Sequence, residues 1–185
     1  MIKERKRVKY TPAGILNPQK TNVYMHLYEN FKRDHEKYKN TNDISLKVYI
    51  ERTLETGVEE AGIRGTKTGL ISHNAFANKI RKYNGEKLTK AESLSEEHPI
   101  TFRSIARYLL NLKNVPSAEY FFRFWLDNLI TVYVTHEENI RLKKYQDNFD
   151  IRKDDWRDIY RKAGIKLIKN PDLRNTEVKR QLGLI

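Results

Sequence analysis

One segment of the chain, LITVYVT at residues 129–135, has the composition and alternation of a β-strand. It leads directly into a helix signal. Thr135 and Glu138 stand three residues apart, the spacing of a capping box, in which each side chain bonds to the backbone N–H of the other residue. This is the only strong strand signal in the chain. The sequence therefore predicts an α+β protein that is mostly helical and has a small β element.

Helical spacing of apolar residues and N-capping residues predict helices along most of the remaining chain. The predicted segments are 21–38, 44–61, 72–83, FRSIARYLLNL after Thr101, AEYFFRFWLDNL after Pro116, THEENIRLKKY from 135, DDWRDIYRKAG ending at Gly164, and NTEVKRQL. The aromatic stripe at 120–125 is expected to lie mostly in the core. The stretch GIRGTKTG (62–69) is expected to be a connecting loop, and no clear strand precedes Glu97.

The charge balance favours a polyanionic partner. Lys and Arg number 36 against 24 Asp and Glu, which gives a net charge of +12. Phosphates are bound by Lys and Arg with release of counterions, so an excess of this size is typical of nucleic-acid binding. Five Lys or Arg in the first nine residues predict an extended arm that follows phosphates. The alternative to a polyanionic partner is a soluble protein that is merely basic. The alternative to a phosphate-binding arm is a frayed, solvated terminus.

The composition excludes several classes of protein. The chain has no Cys, so it cannot form a disulfide framework, a Cys-based zinc site or a Cys nucleophile. Its N-terminus lacks the apolar stretch of a secretory signal. No segment approaches the roughly 18 to 20 apolar residues that a membrane span needs. We therefore expect a soluble protein of the cytoplasm.

A group of polar residues flanks the predicted strand. Hydrolysis of a phosphodiester needs a base and a divalent cation that takes up charge on the phosphate. Mg²⁺ prefers oxygen ligands and keeps several waters, so Glu97 and the side-chain carbonyl of Asn139 suffice as protein ligands. His98 is suited to act as the base if an acceptor holds its other ring nitrogen. Asn128 or a nearby backbone carbonyl is the candidate acceptor.

The segments EEH (96–98) and DNLITVYVTHEENIRLKK (127–144) resemble the motif of HNH (ββα-metal) endonucleases, in the HNN variant that ends in Asn. The resemblance covers about residues 88–168. It implies that Glu97 is the acidic metal ligand, His98 the general base, Asn128 the middle Asn and Asn139 the second ligand, with Mg²⁺ or Mn²⁺ as the cofactor. Residues predicted to contact the nucleic acid are Arg103, Arg141, Lys143 and Lys144.

The register of this motif leaves an alternative, because Pro99 follows His98 directly and His98 lies thirty residues before Asn128. Glu96 is therefore a second candidate for the acidic ligand. Each fragment also has a purely structural interpretation. EEHP is compatible with an exposed turn, Asn128 with the end of a helix, and THEEN with a capping box whose charges are solvated.

With this resemblance, the expected organisation is a basic arm (1–20), a helical DNA-binding region (21–86) and an HNH-like core with C-terminal helices (87–185). The expected function is that of a metal-dependent endonuclease acting on double-stranded DNA. A restriction enzyme is the favoured type, followed by a homing or phage-encoded nuclease. Such enzymes often act as homodimers, in which each active site cuts one strand. The alternative is a non-catalytic basic nucleic-acid-binding protein, either a regulator or a replication accessory factor.

Overall fold

A computed structural model of the protein describes residues 20–63, 66–147 and 149–184. The predicted basic arm lies outside these residues except for Lys20. The elements in chain order are α1 (Thr21–Asn40), α2 (Ile44–Glu60), β1 (Thr66–Ser72), α3 (His73–Tyr83), β2 (Leu94–Glu97), α4 (Phe102–Leu110), α5 (Ala118–Asn128), β3 (Ile130–Thr135), α6 (His136–Gln146), α7 (Arg157–Lys162), β4 (Leu167–Lys169) and α8 (Thr176–Gln181). The expected α+β class, mostly helical with a small sheet, is confirmed.

The chain divides into two compact units that are not continuous in sequence. The helical unit contains the described residues 20–63 and Phe102–Asn128, and the mixed unit contains the described residues 66–101 and 129–184. The expected boundary between 86 and 87 therefore lies within the mixed unit. The division predicted from the sequence differs from the observed one because the chain returns to the helical unit to form α4 and α5.

The helical unit packs α1, α2, α4 and α5 around an aromatic core. Asp43 caps α2 as its position predicts, since its carboxylate accepts from the backbone N–H groups of the next turn. Phe31 and Phe121 are wholly buried, and their ring centroids lie 4.5 Å apart. Within the predicted aromatic stripe Trp125 is also fully buried, whereas Tyr120 is 42% exposed. The stripe is thus core on one side of α5 and surface on the other.

Glu51 is a buried carboxylate that links three helices of this unit. Its oxygens accept from Arg103 Nε at 2.8 Å, Arg107 Nε at 3.0 Å and the Tyr38 hydroxyl at 2.9 Å. Burial alone would raise the pKa of Glu51, but the hydrogen bonds from Arg107, Arg103 and Tyr38 outweigh it and lower that pKa. Glu51 is therefore ionised at neutral pH and holds α4 against α1 and α2.

The mixed unit is built on a four-stranded sheet of order β2-β3-β1-β4. Strand β3 pairs antiparallel with β2 and parallel with β1, and β1 pairs antiparallel with β4. The prediction of a loop was wrong for residues 66–69, which belong to β1 (Thr66–Ser72). The expectation that no strand precedes Glu97 was also wrong, because Leu94–Glu97 form β2. Strand β2 is short and polar, and β1 has apolar residues only at Leu70 and Ile71, so neither strand has a clear alternating pattern and both depend on pairing with β3.

Helices α3 and α6 both contact the sheet. Ser72 caps α3, with its Oγ accepting from the Ala75 N–H at 3.0 Å. The predicted capping box of Thr135 and Glu138 is present at the start of α6. The core residues that α6 and the sheet bury completely include Val132, Val134 and Leu142. In the described part of the chain, no helix has the length and apolar character needed to cross a membrane.

Glu51 and its partners Tyr38, Arg103 and Arg107, which we call the Glu51 cluster, allow a test of the helical unit. We expect Glu51→Gln to lower the free energy of unfolding by about 2 kcal/mol at pH 7, because two guanidinium groups lose a charged acceptor. A lowered pKa means that this stabilisation is present above the ordinary pKa of 4.5 and is lost as the pH falls through the lower value in the folded state. The difference between the variant and the wild type should therefore shrink as the pH falls below about 4.5 in urea unfolding experiments.

Glu59→Gln, a change at an exposed position of the same helix, is the matched control and should leave stability nearly unchanged. Equal stability of wild type and Glu51→Gln at pH 7 would contradict the role given to Glu51.

Candidate functional site

The predicted acid–His pair, Glu97 and His98, lies at the end of β2, which pairs antiparallel with β3. Helix α6 follows β3 directly, and we call β2, β3 and α6 together the hairpin–helix segment. Leu94 pairs with Thr135 and Glu97 pairs with Val132 across the antiparallel strands. The first residue of α6 is tied back to β2, because the His136 N–H donates to the Ser93 carbonyl at 2.9 Å. Helix α6 then packs against β2 and β3. The order of strand, strand and helix is the one that the resemblance to ββα-metal endonucleases implies, although the sequence showed no clear strand before Glu97.

The long gap between the strands of this hairpin is explained by the two units. After Thr101 the chain enters the helical unit, where it forms α4 and α5, and it returns to the mixed unit at Leu129. The hairpin is therefore formed by strands that are distant in sequence but adjacent in the sheet.

His98 follows the last residue of β2, and a backbone carbonyl orients its ring. The His98 Nδ1–H donates to the carbonyl oxygen of Ile130 at 3.1 Å. The carbonyl can only accept, so the proton stays on Nδ1 and the neutral ring has its basic lone pair on Nε2. The backbone of His98 is held as well, because the Gln146 side-chain amide donates to the His98 carbonyl at 2.9 Å.

Asn128 is the last residue of α5, in the helical unit. Its side-chain amide donates to the Phe124 carbonyl at 2.8 Å, a bond within the same helix. Of the two acceptors that the sequence left open for the His98 ring, a nearby backbone carbonyl is therefore the one seen, and it belongs to Ile130. The resemblance-based role of Asn128 remains a prediction.

Glu97 is buried on the side of β2 that faces α6. Only 3% of the residue is exposed. One carboxylate oxygen accepts from the Gln146 side-chain amide and the other from the Tyr160 hydroxyl. Burial raises the pKa of Glu97 to about 7, and the hydrogen bonds from Tyr160 and Gln146 reduce that rise without abolishing it. The carboxyl next to His98 is therefore partly protonated near neutral pH.

Asn139 lies on the same side of the hairpin–helix segment but has a different partner. Its side-chain amide donates to Ser95 Oγ at 3.1 Å. Gln146, the helix residue that bonds Glu97, is seven residues further along α6, which corresponds to about 10.5 Å along a helix axis. Asn139 and Glu97 thus occupy successive positions along the interface between β2 and α6.

The two predicted ligands do not fit one cation in this arrangement. Oxygens that bind one Mg²⁺ lie about 2.1 Å from the ion and so must converge on one point. Glu97 and Asn139 are engaged by different partners, and both oxygens of Glu97 already accept hydrogen bonds, from Gln146 and Tyr160. Within the described ranges, no group of three or more His, Asp or Glu side chains is placed to hold a metal ion.

Glu96, the alternative acidic ligand, points to the opposite side of the strand. Its Oε1 accepts from the Tyr133 hydroxyl at 2.5 Å and from Lys67 Nζ at 2.9 Å. The hydrogen bonds from Tyr133 and Lys67 lower the pKa of Glu96, so this carboxylate is ionised. A cation at this oxygen would have to displace the Lys67 ammonium.

The basic residues predicted to contact nucleic acid fall into two groups. Arg141, Lys143 and Lys144 lie on the exposed side of α6, where they are accessible to a phosphate. Arg103 lies in the helical unit, and its Nε–H donates to the buried Glu51. Its described contact therefore gives it a structural role, and its predicted contact with nucleic acid remains a prediction.

Sequence reasoning missed Gln146 and Tyr160 as partners of the acid–His pair. The helical spacing of seven residues between Asn139 and Gln146 does predict that both face the same side of α6. No sequence signal links Tyr160 to Glu97, because the two residues lie 63 positions apart in the chain. Tyr160 is buried, so its hydroxyl reaches Glu97 within the core of the mixed unit.

Comparisons with protein-family models, with curated proteins and with solved structures give no match to this chain.

Replacing the buried acid tests the environment of the site. A raised pKa means that protonated Glu97 contributes stability below its ordinary pKa of 4.5 and that this contribution is lost as the pH rises through about 7. We therefore expect Glu97→Gln to be more stable than the wild type at pH 8, by up to about 3 kcal/mol at roughly 1.4 kcal/mol per pKa unit. At pH 5 the difference should be small. Urea unfolding in the presence of a chelator measures both values.

Glu96→Gln is the matched control on the same strand. Because Glu96 is exposed and already ionised, this change should give no gain in stability at pH 8. A Glu97→Gln protein that is no more stable than the wild type at pH 8 would show that burial of the ionised carboxylate is not unfavourable.

Proposed function

We propose that the chain is an endonuclease that hydrolyses phosphodiester bonds of double-stranded DNA, with His98 as the general base. The observation that carries the proposal is the His98 ring on the hairpin–helix segment, with its Nδ1–H bonded to the Ile130 carbonyl at 3.1 Å. This bond leaves Nε2 as the basic nitrogen of the neutral ring. A histidine held in one tautomer is suited to take a proton from an attacking water.

The charge of the chain supports a nucleic-acid substrate. The net charge is +12, and Arg141, Lys143 and Lys144 are exposed on the helix of the hairpin–helix segment. Such side chains bind backbone phosphates with release of counterions. The resemblance of EEH and DNLITVYVTHEEN to the HNH motif favours the same reaction, in a restriction-type enzyme. A homodimer, in which each subunit cuts one strand, is part of the proposal.

Dependence on Mg²⁺ or Mn²⁺ is a further part of the proposal. When bound, such an ion takes up negative charge on the scissile phosphate. Because Glu97 and Asn139 do not fit one cation in this arrangement, we assign no step to the ion.

A second candidate function is DNA binding without cleavage. It is favoured by the hydrogen bonds that engage both oxygens of Glu97 and by the bond between Asn139 and Ser95. In this alternative the hairpin–helix segment is a structural support, and the bond between His98 and Ile130 only fixes the end of β2. The two candidates give different results with the same substrate.

The test is incubation of the purified protein with supercoiled plasmid, with Mg²⁺, with Mn²⁺ and with a chelator. We expect nicking or linearisation with a divalent cation and none with chelator. His98→Ala should reduce the cleavage rate by at least about 10²-fold, because a positioned general base contributes roughly 10²- to 10⁴-fold. Its affinity for a DNA duplex, measured by fluorescence anisotropy in chelator, should change less than about twofold.

His26→Ala removes an exposed histidine of the helical unit and serves as the control, with unchanged cleavage expected. Binding without cleavage by the wild type under every cation condition would favour the second candidate. Cleavage that survives in His98→Ala would exclude His98 as the base.

A further inference from the structure

A charged depression lies on the surface of the helical unit, and we call it the α1 pocket. It has a volume of about 590 Å³ and lies between the C-terminal half of α1 and the segment 113–115. Its basic and amide side chains are Lys32, Arg33, Lys39, Asn40, Lys113 and Asn114. A pocket for a drug-sized ligand is usually lined mainly by apolar side chains, so this lining indicates a charged ligand.

The segment that forms one wall of the α1 pocket is fixed at both ends. The His35 Nε2–H donates to the Leu112 carbonyl at 3.0 Å, and the Tyr28 hydroxyl donates to the Pro116 carbonyl at 2.6 Å. His35 is itself buried, with 4% of the residue exposed. Lys113 lies between these two anchors. Its backbone is therefore held against α1 before any ligand binds, which lowers the entropy that binding must overcome.

The side chains that line the α1 pocket carry a net positive charge. Four cationic side chains and one carboxylate, Glu36, line it, so the formal charge of the lining is 4 − 1 = +3. Lys32 pairs with Glu29 and Arg33 pairs with Asp34, but both cationic side chains remain partly exposed to solvent. In the part of the chain that the structure describes, Lys39 and Lys113 have no carboxylate within 4.0 Å. Positive charges without such partners on a concave surface attract anions.

We propose that the α1 pocket binds backbone phosphates of double-stranded DNA through Lys39 and Lys113. The identity of the polyanion rests on the proposed function. Both lysines are exposed, so they suit a phosphate backbone that crosses the surface. Asn40 and Asn114 add side-chain amides that donate to phosphate oxygens. This site would position the duplex and would not distinguish its sequence.

The test is the double variant Lys39→Ala/Lys113→Ala in fluorescence anisotropy with a short labelled DNA duplex. A chelator is present throughout, so that binding is measured without cleavage. Between about 50 and 200 mM salt, we expect the slope of log K against log [salt] to fall in magnitude by about 2, one unit for each phosphate contact. At about 0.1 M salt, Kd should rise roughly tenfold or more.

Lys87→Ala/Lys90→Ala is the matched control, since it removes the same charge from two exposed positions of the mixed unit. It should raise Kd less than about threefold. Thermal unfolding should be unchanged in both double variants, because all four side chains are exposed. Equal losses of affinity in the two variants, or a loss seen only with an RNA duplex, would overturn the proposal.

The outcomes also separate this site from the nuclease proposal. If Lys39→Ala/Lys113→Ala binds DNA weakly and the wild type cuts no DNA, the α1 pocket stands and the nuclease proposal fails. If the wild type cuts DNA and the double variant binds it like the control, the nuclease proposal stands and the α1 pocket fails.

Discussion

The mixed unit depends on the pairing of β3 along both of its edges. Strand β1 pairs with it in parallel and β2 in antiparallel orientation, and Val132 and Val134 are completely buried. A shift of one residue would turn every side chain of β3 to the other face of the sheet, so the register is strongly determined. This register places Glu97 opposite Val132 and brings the Ile130 carbonyl to the ring of His98. The proposed chemistry therefore depends on one strand pairing.

Glu51 and Glu97 show that the charge of the hydrogen-bond partners decides whether the pKa of a buried carboxyl is lowered or raised. Burial opposes ionisation of both Glu51 and Glu97. Glu51 is bonded by two guanidinium groups, and its pKa is lowered; Glu97 is bonded by an amide and a hydroxyl, and its pKa is raised to about 7. The acid next to His98 thus lacks the positive partner that would keep it ionised. A cation at Glu97 would have to displace the hydrogen bonds from Gln146 and Tyr160.

The segment Phe102–Asn128 separates His98 from β3 in the sequence, and it supplies two helices of the helical unit. Between His98 and β3 the chain contributes Arg103 to the Glu51 cluster and Lys113 to the α1 pocket. Side chains proposed to contact phosphates are consequently found in both units, with Arg141 and its neighbours in the mixed unit and Lys39 and Lys113 in the helical unit. The excess of Lys and Arg that the composition shows is thus distributed over both units.

The sequence by itself determined the features that depend on near neighbours. Asp43, Ser72 and the capping box of Thr135 and Glu138 begin helices where predicted, since a cap bonds to backbone two or three residues away. Strand β3 was predicted from its own alternation. Only the tertiary structure decided that the polar segments Thr66–Ser72 and Leu94–Glu97 are strands, because their backbone hydrogen bonds go to distant segments. The same reason applies to the partners of Glu97 and Asn139, which depend on how α6 and α7 pack and not on spacing along the chain.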